Sequence, residues 1–534
     1  MRWIMIAAMG TILAGTANVA ACAAGEQAAE AQRPNIVFIL CDDLGYGDVK
    51  CNNPEGKIAT PSIDRLAAAG MRFTDAHTTS SVCTPTRYGL LTGRYNWRSR
   101  LQSGVLGGMS PPLIEPGRLT VAELLRRQGY QTACIGKWHL GMDWPRKPDT
   151  PSFGMGIEKG PDGWNADFTR PIANGPNRLG FDYFFGIGGS LDMVPYAFIE
   201  NDRVSVVPTV DKAFPMMPGK ARHTRRGPAA ADFEAADVLP TFTRKAVEWI
   251  GRHAADARAG KPLFVYLPLN SPHTPIVPTP EWLGRSGLNP YADFVTQTDA
   301  CIGQVAAALD EHGLASNTLL VVASDNGCSP EADFPALLAK GHNPSGVLRG
   351  HKADIWDGGH RVPFIVRWPG RVRPGSTCDQ LVSTVDFLAT CADVVGVKLS
   401  DNAGEDSVSI LPALLGKAQK PLREALVHHS ISGKFSIRQG RWKLEFCPGS
   451  GGWSSPGDAQ ATKQGLPKVQ LYDMTEDIGE RRNQEAEHPE IVKQLTALLE
   501  KYVADGRSTP GSPQKNDAVV DIWKQGTTSA QKRK

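Results

Sequence analysis

Two of the most apolar runs in the chain end on adjacent oxygen-bearing side chains. NIVFILC, residues 35–41, stops at Asp42-Asp43, and TLLVVAS, residues 318–324, stops at Asp325-Asn326-Gly327. Neighbouring carboxylates at the end of a buried segment repel each other and are costly to desolvate unless a cation neutralises them. Three carboxylates and one amide oxygen form a hard all-oxygen donor set, which suits Ca2+ or Mg2+ and not zinc. One such pair alone reads more readily as an N-cap; two in corresponding positions point to a metal. A third cluster is Cys83-Thr84-Pro85-Thr86-Arg87. Pro85 suits the first turn of a helix, so Cys83 falls near an N-terminus, where free N–H groups and the dipole favour an anion. Arg87 lies four residues on, on the same helix face. A bare cysteine there is either a thiol nucleophile or a buried side chain.

The elements that must position these groups alternate strand and helix. Asn35–Cys41 reads as a strand buried on both faces. Pro61–Ala69 reads as a helix with Thr60 as N-cap. Leu119–Gln128 is helical, followed by strand Gln131–Ile135; Leu239–Ala255 is helical, followed by strand Leu263–Leu267. Helix Pro290–His312 precedes strand Thr318–Ala323; strand Val362–Arg367 precedes helix Thr384–Val395. This pattern predicts an α/β fold, a large, mostly parallel sheet with helices on both faces, with function at the C-terminal ends of its strands. After residue 420 the pieces shorten: Ala425–His429, Phe435–Arg438, Trp442–Phe446, Val469–Asp473 and helix Pro489–Val503. They predict a smaller α+β subdomain, with 448–467 as a Gly/Ser-rich loop. The expected organisation is a signal segment at 1–22, a tether at 23–33, the α/β domain at 34–420, the subdomain at 421–505 and a frayed polar tail at 506–534.

CTPTRYGLLTGR, residues 83–94, resembles the signature of the type I sulfatases of the alkaline phosphatase superfamily. GKWHLG at 136–141, Ser271-Pro272-His273, Gly350-His351-Lys352 and the stretch Trp356–Pro363 resemble further segments of that family, as do Trp442-Lys443-Leu444 and Leu471-Tyr472-Asp473. The resemblance implies an alkaline phosphatase-like mixed sheet and an antiparallel sheet in the C-terminal part. It implies that a formylglycine-generating enzyme converts Cys83 to Cα-formylglycine, and that the hydrate of this aldehyde attacks the sulfur of a sulfate ester. One divalent metal per chain would be held by Asp42, Asp43, Cys83, Asp325 and Asn326, with Ca2+ favoured over Mg2+. Asp325 would accept the nucleophile's proton, and Arg87 would position the hydrated aldehyde. Lys137 and Lys352 would hold sulfate oxygens, His273 would protonate the leaving oxygen, and His139 would take the proton whose loss expels sulfate.

Substrate recognition is read from looser signals. GIGGSLDMVPY, residues 186–196, is similar to segments of bacterial carbohydrate sulfatases, which places Ser190 and Asp192 near substrate. His342, His351 and His360 share a loop region with Arg349 and Arg361; His351 and His360 are the expected sugar contacts. Trp97, Arg98 and Arg100 offer an aromatic platform or an anion clamp, with a structural role for each equally open. The expected substrate is a sulfated glycan, through exo action on galactose or N-acetylgalactosamine-type sugars. Two other readings stay open, a phosphonate monoester or phosphodiester hydrolase of the same superfamily, and a non-catalytic glycan-binding lipoprotein.

Composition sets outer bounds. The chain has 534 residues, 58 Lys plus Arg against 55 Asp plus Glu, and 55 Gly with 40 Pro. A net charge of +3 gives no electrostatic case for nucleic acid as a partner. Arg2 followed by the small apolar run Trp3–Ala21 reads as an export signal, with a membrane anchor as the less favoured alternative. Val19-Ala20-Ala21-Cys22 resembles a lipoprotein processing box, with plain cleavage nearby as the alternative. The protein is therefore expected in the periplasm, or tethered at the cell envelope through a lipid on Cys22. Among ten cysteines no metal-type spacing occurs, and Cys41, Cys134 and Cys391 read as buried thiols.

Overall fold

Alternation along a single strand organises the architecture. In β1 (Asn35–Asp42), Val37, Ile39 and Cys41 enter one apolar core, while Ile36, Phe38 and Leu40 enter another. A strand buried on both faces needs a sheet covered on both sides. The computed structural model describes residues 33–524 and shows such a sheet, of ten strands. After β1 come β2 (Met71–Phe73), β3 (Gln131–Lys137), β4 (Tyr183–Ile187), β5 (Ile199–Glu200) and β6 (Arg203–Val204). Then follow β7 (Leu263–Pro272), β8 (Thr318–Ser324), β9 (Phe364–Arg367) and β10 (Ser376–Cys378). Their spatial order is β10-β2-β9-β8-β1-β7-β3-β4-β5-β6. The central strands β8, β1, β7, β3 and β4 are mutually parallel. β9 runs antiparallel to β8 and β2, and β5 antiparallel to β4.

Helices α1 (Pro61–Ala68), α4 (Val238–Arg258) and α5 (Pro290–Glu311) cover one face with the first core. Helices α2 (Cys83–Thr92), α3 (Val121–Arg127) and α6 (Phe387–Val394) cover the other. Parallel strands deliver their C-terminal ends to one edge. β1 ends on Asp42, β8 leads into Asp325, β3 ends on Lys137 and β7 leads into His273. The Asp325 N–H donates to the Cys41 carbonyl at 3.0 Å, so the two carboxylate-bearing ends sit side by side.

A second, antiparallel sheet holds β11 (Leu426–His429), β12 (Phe435–Gln439), β13 (Trp442–Glu445) and β14 (Gln470–Asp473). Helix α7 (Pro489–Ala504) closes it with Leu495, Leu499 and Tyr502. Tyr95 and Trp97, just after α2, enter the same core. From Arg33 onward the chain is one compact unit, so residue 420 separates two sheets within one body.

Four local expectations need correction. Thr60 precedes α1 but does not cap it; its hydroxyl accepts from the Lys50 N–H at 2.9 Å. The 448–467 loop contains a short helix, Asp458–Lys463. The stretch from 506 to 524 is fastened and not frayed: Asp517 pairs with Arg94 at 2.9 Å, and Asn516 accepts from Arg98 at 3.0 Å. Trp97 and Arg98 are no surface platform or clamp, because both are fully buried. Trp97 stacks on Tyr95 at 5.4 Å, and Arg98 pairs with Asp406 at 2.8 Å. Arg100 hydrogen-bonds the Pro111 and Pro112 carbonyls. Cys41, Cys134 and Cys391 are buried free thiols, and no disulfide forms among the described residues. The signal segment with Cys22, and residues 525–534, lie outside the described residues.

Candidate active site

Cys83 is the first residue of α2 and is 2 % exposed. Its Sγ lies 3.6 Å from Asp42 Oδ1. Burial pushes the thiol up to about 12, against the pull of Lys137 and Lys352. The unmodified side chain is therefore a protonated thiol at neutral pH and a poor nucleophile.

Three carboxylates face three cationic side chains around this sulfur. Lys137 Nζ lies 2.6 Å from Asp42 Oδ2. Lys352 Nζ lies 2.7 Å from Asp43 Oδ1. Arg87 donates to Asp325 Oδ2 from Nη2 at 2.7 Å and from Nε at 3.1 Å, and to the Lys137 carbonyl at 2.8 Å. All six are nearly or fully buried. Burial and the Asp42 charge push the Asp325 carboxyl up to about 7 despite Arg87. For Asp42, burial is outweighed by the neighbouring cations, Lys137 before Arg87, which hold it well below the carboxylate range.

Side-chain oxygens here suit a hard cation. Asn326 donates from Nδ2 to Asp43 Oδ1 at 2.7 Å, while its Oδ1 is buried without a hydrogen-bond partner. An orphaned amide oxygen beside three carboxylates fits the expected ligand role. Asp42, Asp43, Cys83 and His273 each bring a ligating atom within 4.8 Å of the others, so His273 joins the neighbourhood of the expected metal ligands. Asp43, directly after β1, adopts φ 66°, in the left-handed region that non-glycine residues seldom occupy.

The two site histidines are held as neutral rings with assigned ends. His139 Nε2 meets the Leu106 carbonyl at 2.8 Å, so the proton sits there and Nδ1 is a free, buried lone pair. Burial and then Lys137 hold this ring well below the ordinary histidine range. His273 Nδ1 meets the Thr274 carbonyl at 2.5 Å and Ser190 Oγ at 3.3 Å. Its Nε2 lies 3.7 Å from Asp43 Oδ2, and burial with Lys352 keeps the ring below the ordinary range. His139 is thus shaped as a proton acceptor. Backbone carbonyls of Leu106 and Thr274 do this orienting, and a carbonyl leaves no signal in residue type.

The expected substrate residues divide. Ser190 Oγ is 3.3 Å from Lys137 Nζ, inside the site. Asp192 is partly exposed, pairs with Arg225 at 3.0 Å, and keeps Oδ1 without a partner. Nothing in the sequence marks Arg225, which lies in a loop with two other arginines nearby. His351 is a fastening residue: Nδ1 meets the Lys352 carbonyl at 2.9 Å and Nε2 meets Ser454 Oγ at 3.0 Å. His342 is fully buried and meets Asp48 Oδ1 at 2.9 Å.

His360 is no sugar contact, because it is fully buried in a second polar cluster. Its ring stacks on His428 at 3.9 Å, and its Nδ1 meets His77 Nδ1 at 3.0 Å. Lys443 Nζ lies 3.2 Å from His360 Nε2, and His77 Nε2 lies 2.9 Å from Asp75 Oδ1. His360 Nε2 also lies 2.9 Å from the Ile355 carbonyl, which Lys443 Nζ reaches at 2.9 Å as well, so Lys443, Ile355, His360, His77 and Asp75 form one connected polar line. The cluster braces the segment before Cys83, since Thr78 N–H donates to the His360 carbonyl at 2.8 Å and Ser81 N–H to the His429 carbonyl at 3.0 Å.

Comparison with known proteins gives a consistent picture. The family model described as Sulfatase matches residues 34–397, and that described as N-sulphoglucosamine sulphohydrolase, C-terminal, matches residues 351–447. The chain is 33 % identical to an N-acetylgalactosamine-6-O-sulfatase of Bacteroides thetaiotaomicron, across 88 % of this chain and 93 % of that one. It is 32 % identical to human arylsulfatase A, across 91 % of each. A solved Bacteroides thetaiotaomicron structure, described under the metabolism of multiple glycosaminoglycans, superposes with a TM-score of 0.74 at 32 % identity, covering 88 % of this chain and 99 % of that one.

Proposed function

The chain belongs to the sulfatase family and is a sulfuric ester hydrolase, and from that premise we propose that it removes O-sulfate from a terminal sugar of a sulfated glycan. The observation that carries the reaction is the convergence of Lys137, Lys352, Arg87 and three carboxylates on Cys83 at the start of a buried helix. Support for the sugar comes from the relative described as an N-acetylgalactosamine-6-O-sulfatase. We take a galactose or N-acetylgalactosamine-type residue as the substrate.

Asp42, Asp43, Asp325 and Asn326, with residue 83, would hold one Ca2+ or Mg2+ ion, with Ca2+ preferred. When bound, such an ion supplies Lewis acidity and neutralises charge on oxygens in its shell. Cys83 would be converted to Cα-formylglycine by a formylglycine-generating enzyme, whose hydrate supplies an attacking oxygen that a buried thiol cannot.

The remaining work belongs to the chain's own side chains. Lys137 and Lys352 turn from Asp42 and Asp43 to the sulfate oxygens, whose charge grows in the transition state. Arg87 fixes Asp325, which accepts the nucleophile's proton. An incoming sulfate raises the proton affinity of His273, whose Nε2 then delivers a proton to the leaving sugar oxygen. His139 Nδ1 accepts the proton whose loss releases sulfate.

Export to the periplasm, or tethering at the envelope through a lipid on Cys22, is proposed from the N-terminal run. No helix among the described residues is long and apolar enough to cross a membrane.

The test is mass spectrometry of the tryptic peptide Phe73–Arg87, paired with turnover of sulfated sugars and an aryl phosphodiester. A carbonyl in place of the Cys83 thiol with sulfate release is the expected result. A plain thiol in active protein overturns the nucleophile. Preference for the phosphodiester overturns the sulfatase chemistry. Glycan binding without release by converted protein overturns catalysis altogether.

A further inference from the structure

Trp453 is the one exposed Phe, Tyr or Trp side chain among the described residues. It is 51 % exposed, whereas every other tryptophan there is buried or partly buried. An exposed indole carries a large unmet apolar surface. Single exposed apolar residues are ordinary; this one differs in how it is held and what it stands beside.

Its backbone is locked to the strap that carries Lys352. The Trp453 N–H donates to Asp354 Oδ1 at 2.8 Å, and the Ser454 N–H to the same oxygen at 3.0 Å. Ser454 Oγ joins His351 Nε2 at 3.0 Å. Gly452 lies so close to the strap that a Cβ there would stand 2.3 Å from the Ala353 carbonyl oxygen. The neighbouring Lys352 holds its ammonium 2.7 Å from Asp43. Two backbone segments therefore link the indole to the reacting centre, and both are fixed before any ligand arrives. Such preorganisation lowers the cost of binding.

Trp453 also continues a rim of contacts. His351 meets Ser454 on one side and Phe334 on the other, the rings 5.6 Å apart. Lys220 reaches Asp333 at 2.8 Å, Arg222 pairs with Glu331, and Arg225 pairs with Asp192. Loops 220–226, 329–334, 350–354 and 450–455 are thereby joined around the buried lysines. Trp453 is the most exposed ring on this rim; Phe334 beside His351 is partly buried.

We propose that Trp453 is a specificity-determining platform for the sugar that follows the sulfated residue, with the indole face packed against the apolar C–H face of that ring. This deepens the glycan reading above and rests on it. On this proposal the sulfated ring occupies the buried site and the next ring is the one the indole contacts.

The test measures kcat/KM on three substrates: a small aryl sulfate, the 6-O-sulfated monosaccharide, and a disaccharide with that residue at its end. The wild type is expected to favour the disaccharide over the monosaccharide roughly tenfold, the scale of one good aromatic contact. W453A should erase that preference through KM while leaving the aryl sulfate and monosaccharide unchanged; W453F should keep most of it. The inference is overturned if the wild type does not distinguish the two saccharides, or if W453A matches it on the disaccharide. It is overturned too if all three substrates decline together, which is the signature of a loop that merely supports the fold. Aryl sulfate turnover with neither saccharide cleaved by the wild type sinks the glycan reading itself, and the platform with it.

Discussion

His139 shows how one side chain is prepared for one task. Its Nε2 is committed to the Leu106 carbonyl, and Nδ1 is buried with no partner. Burial and Lys137 keep the ring neutral, which is the state a proton acceptor needs. Replacing it by glutamine preserves a donor toward Leu106 and removes the basic nitrogen. H139Q should therefore lower kcat by about 10²–10⁴-fold, with little change in melting temperature, as read by steady-state kinetics beside a thermal melt. C83A should abolish turnover and C83S nearly so, unless serine undergoes the same conversion; intact-mass analysis of C83S distinguishes these. The carboxylates make a different statement. Their oxygens, with the orphaned Asn326 Oδ1, are preassembled for a cation that the unfolded chain cannot bind as well. A ligand specific to the folded state stabilises it by about 2.7 kcal/mol at a hundred times its dissociation constant. EDTA dialysis should lower both the melting temperature and the activity, and Ca2+ or Mg2+ should restore both; a melt unchanged by EDTA and by either ion contradicts the metal assignment.

Elements decide what a side chain can reach, and Arg98 makes the point. It follows the helix that carries Cys83, yet it pairs with Asp406, bonds the Tyr502 carbonyl at 2.9 Å and packs 4.2 Å over the Trp97 ring. Removing one partner of a buried pair leaves an uncompensated charge and costs about 3–5 kcal/mol. R98A should lose stability on that scale in urea unfolding. KM for an aryl sulfate should hold where the protein remains folded; a raised KM with unchanged stability would return Arg98 to the role of anion clamp. The contrast explains what was legible. Apolar runs ending in charge are strands whose C-terminal ends meet in a parallel sheet, so Asp42, Asp43 and Asp325 could be placed together from the order of residues, whereas Lys137 and His273 joined them through the resemblance of their segments to the family. Cys83 at a helix start followed from Pro85 and the residue spacing. Spacing in a loop does not say which way a ring turns. His351 and His360 lie nine residues apart in one loop region, yet one fastens the rim and the other is sealed in a second cluster. Short strands such as β2 and β4 draw their stability from neighbours, not from their own pattern. Trp453 was hidden for the same reason, inside a stretch whose composition says only loop.

At the scale of the whole molecule, the two sheets are tied by buried polar groups whose protonation must match the fold. His428 on β11 is fully buried, hydrogen-bonds Ser436 Oγ at 3.1 Å and stacks on His360. Burial, then His360 and His77, hold its ring well below the usual 6.5. Near neutral pH the ring is uncharged in both the folded and the unfolded chain, and its titration costs nothing. Below about pH 6.5 the unfolded chain takes up a proton that the folded chain refuses, so the unfolded state gains and stability falls. The contribution steepens to about 1.4 kcal/mol for each further pH unit, until the folded ring itself titrates. Other buried groups titrate in the same range, and the raised carboxyls of Glu445 and Glu480 act in the opposite direction. The clean measurement is therefore a difference. H428Q removes this one titration and keeps a side chain of similar reach. The variant should be the less stable protein at pH 7.5, because it disturbs the stack. Its deficit against the wild type should shrink as pH falls from 6.5 to 5.5, by about 1.4 kcal/mol at most. Denaturant unfolding at both pH values gives the comparison. A constant deficit would mean that His428 titrates alike in both states, and that this part of the link between the sheets rests on packing alone.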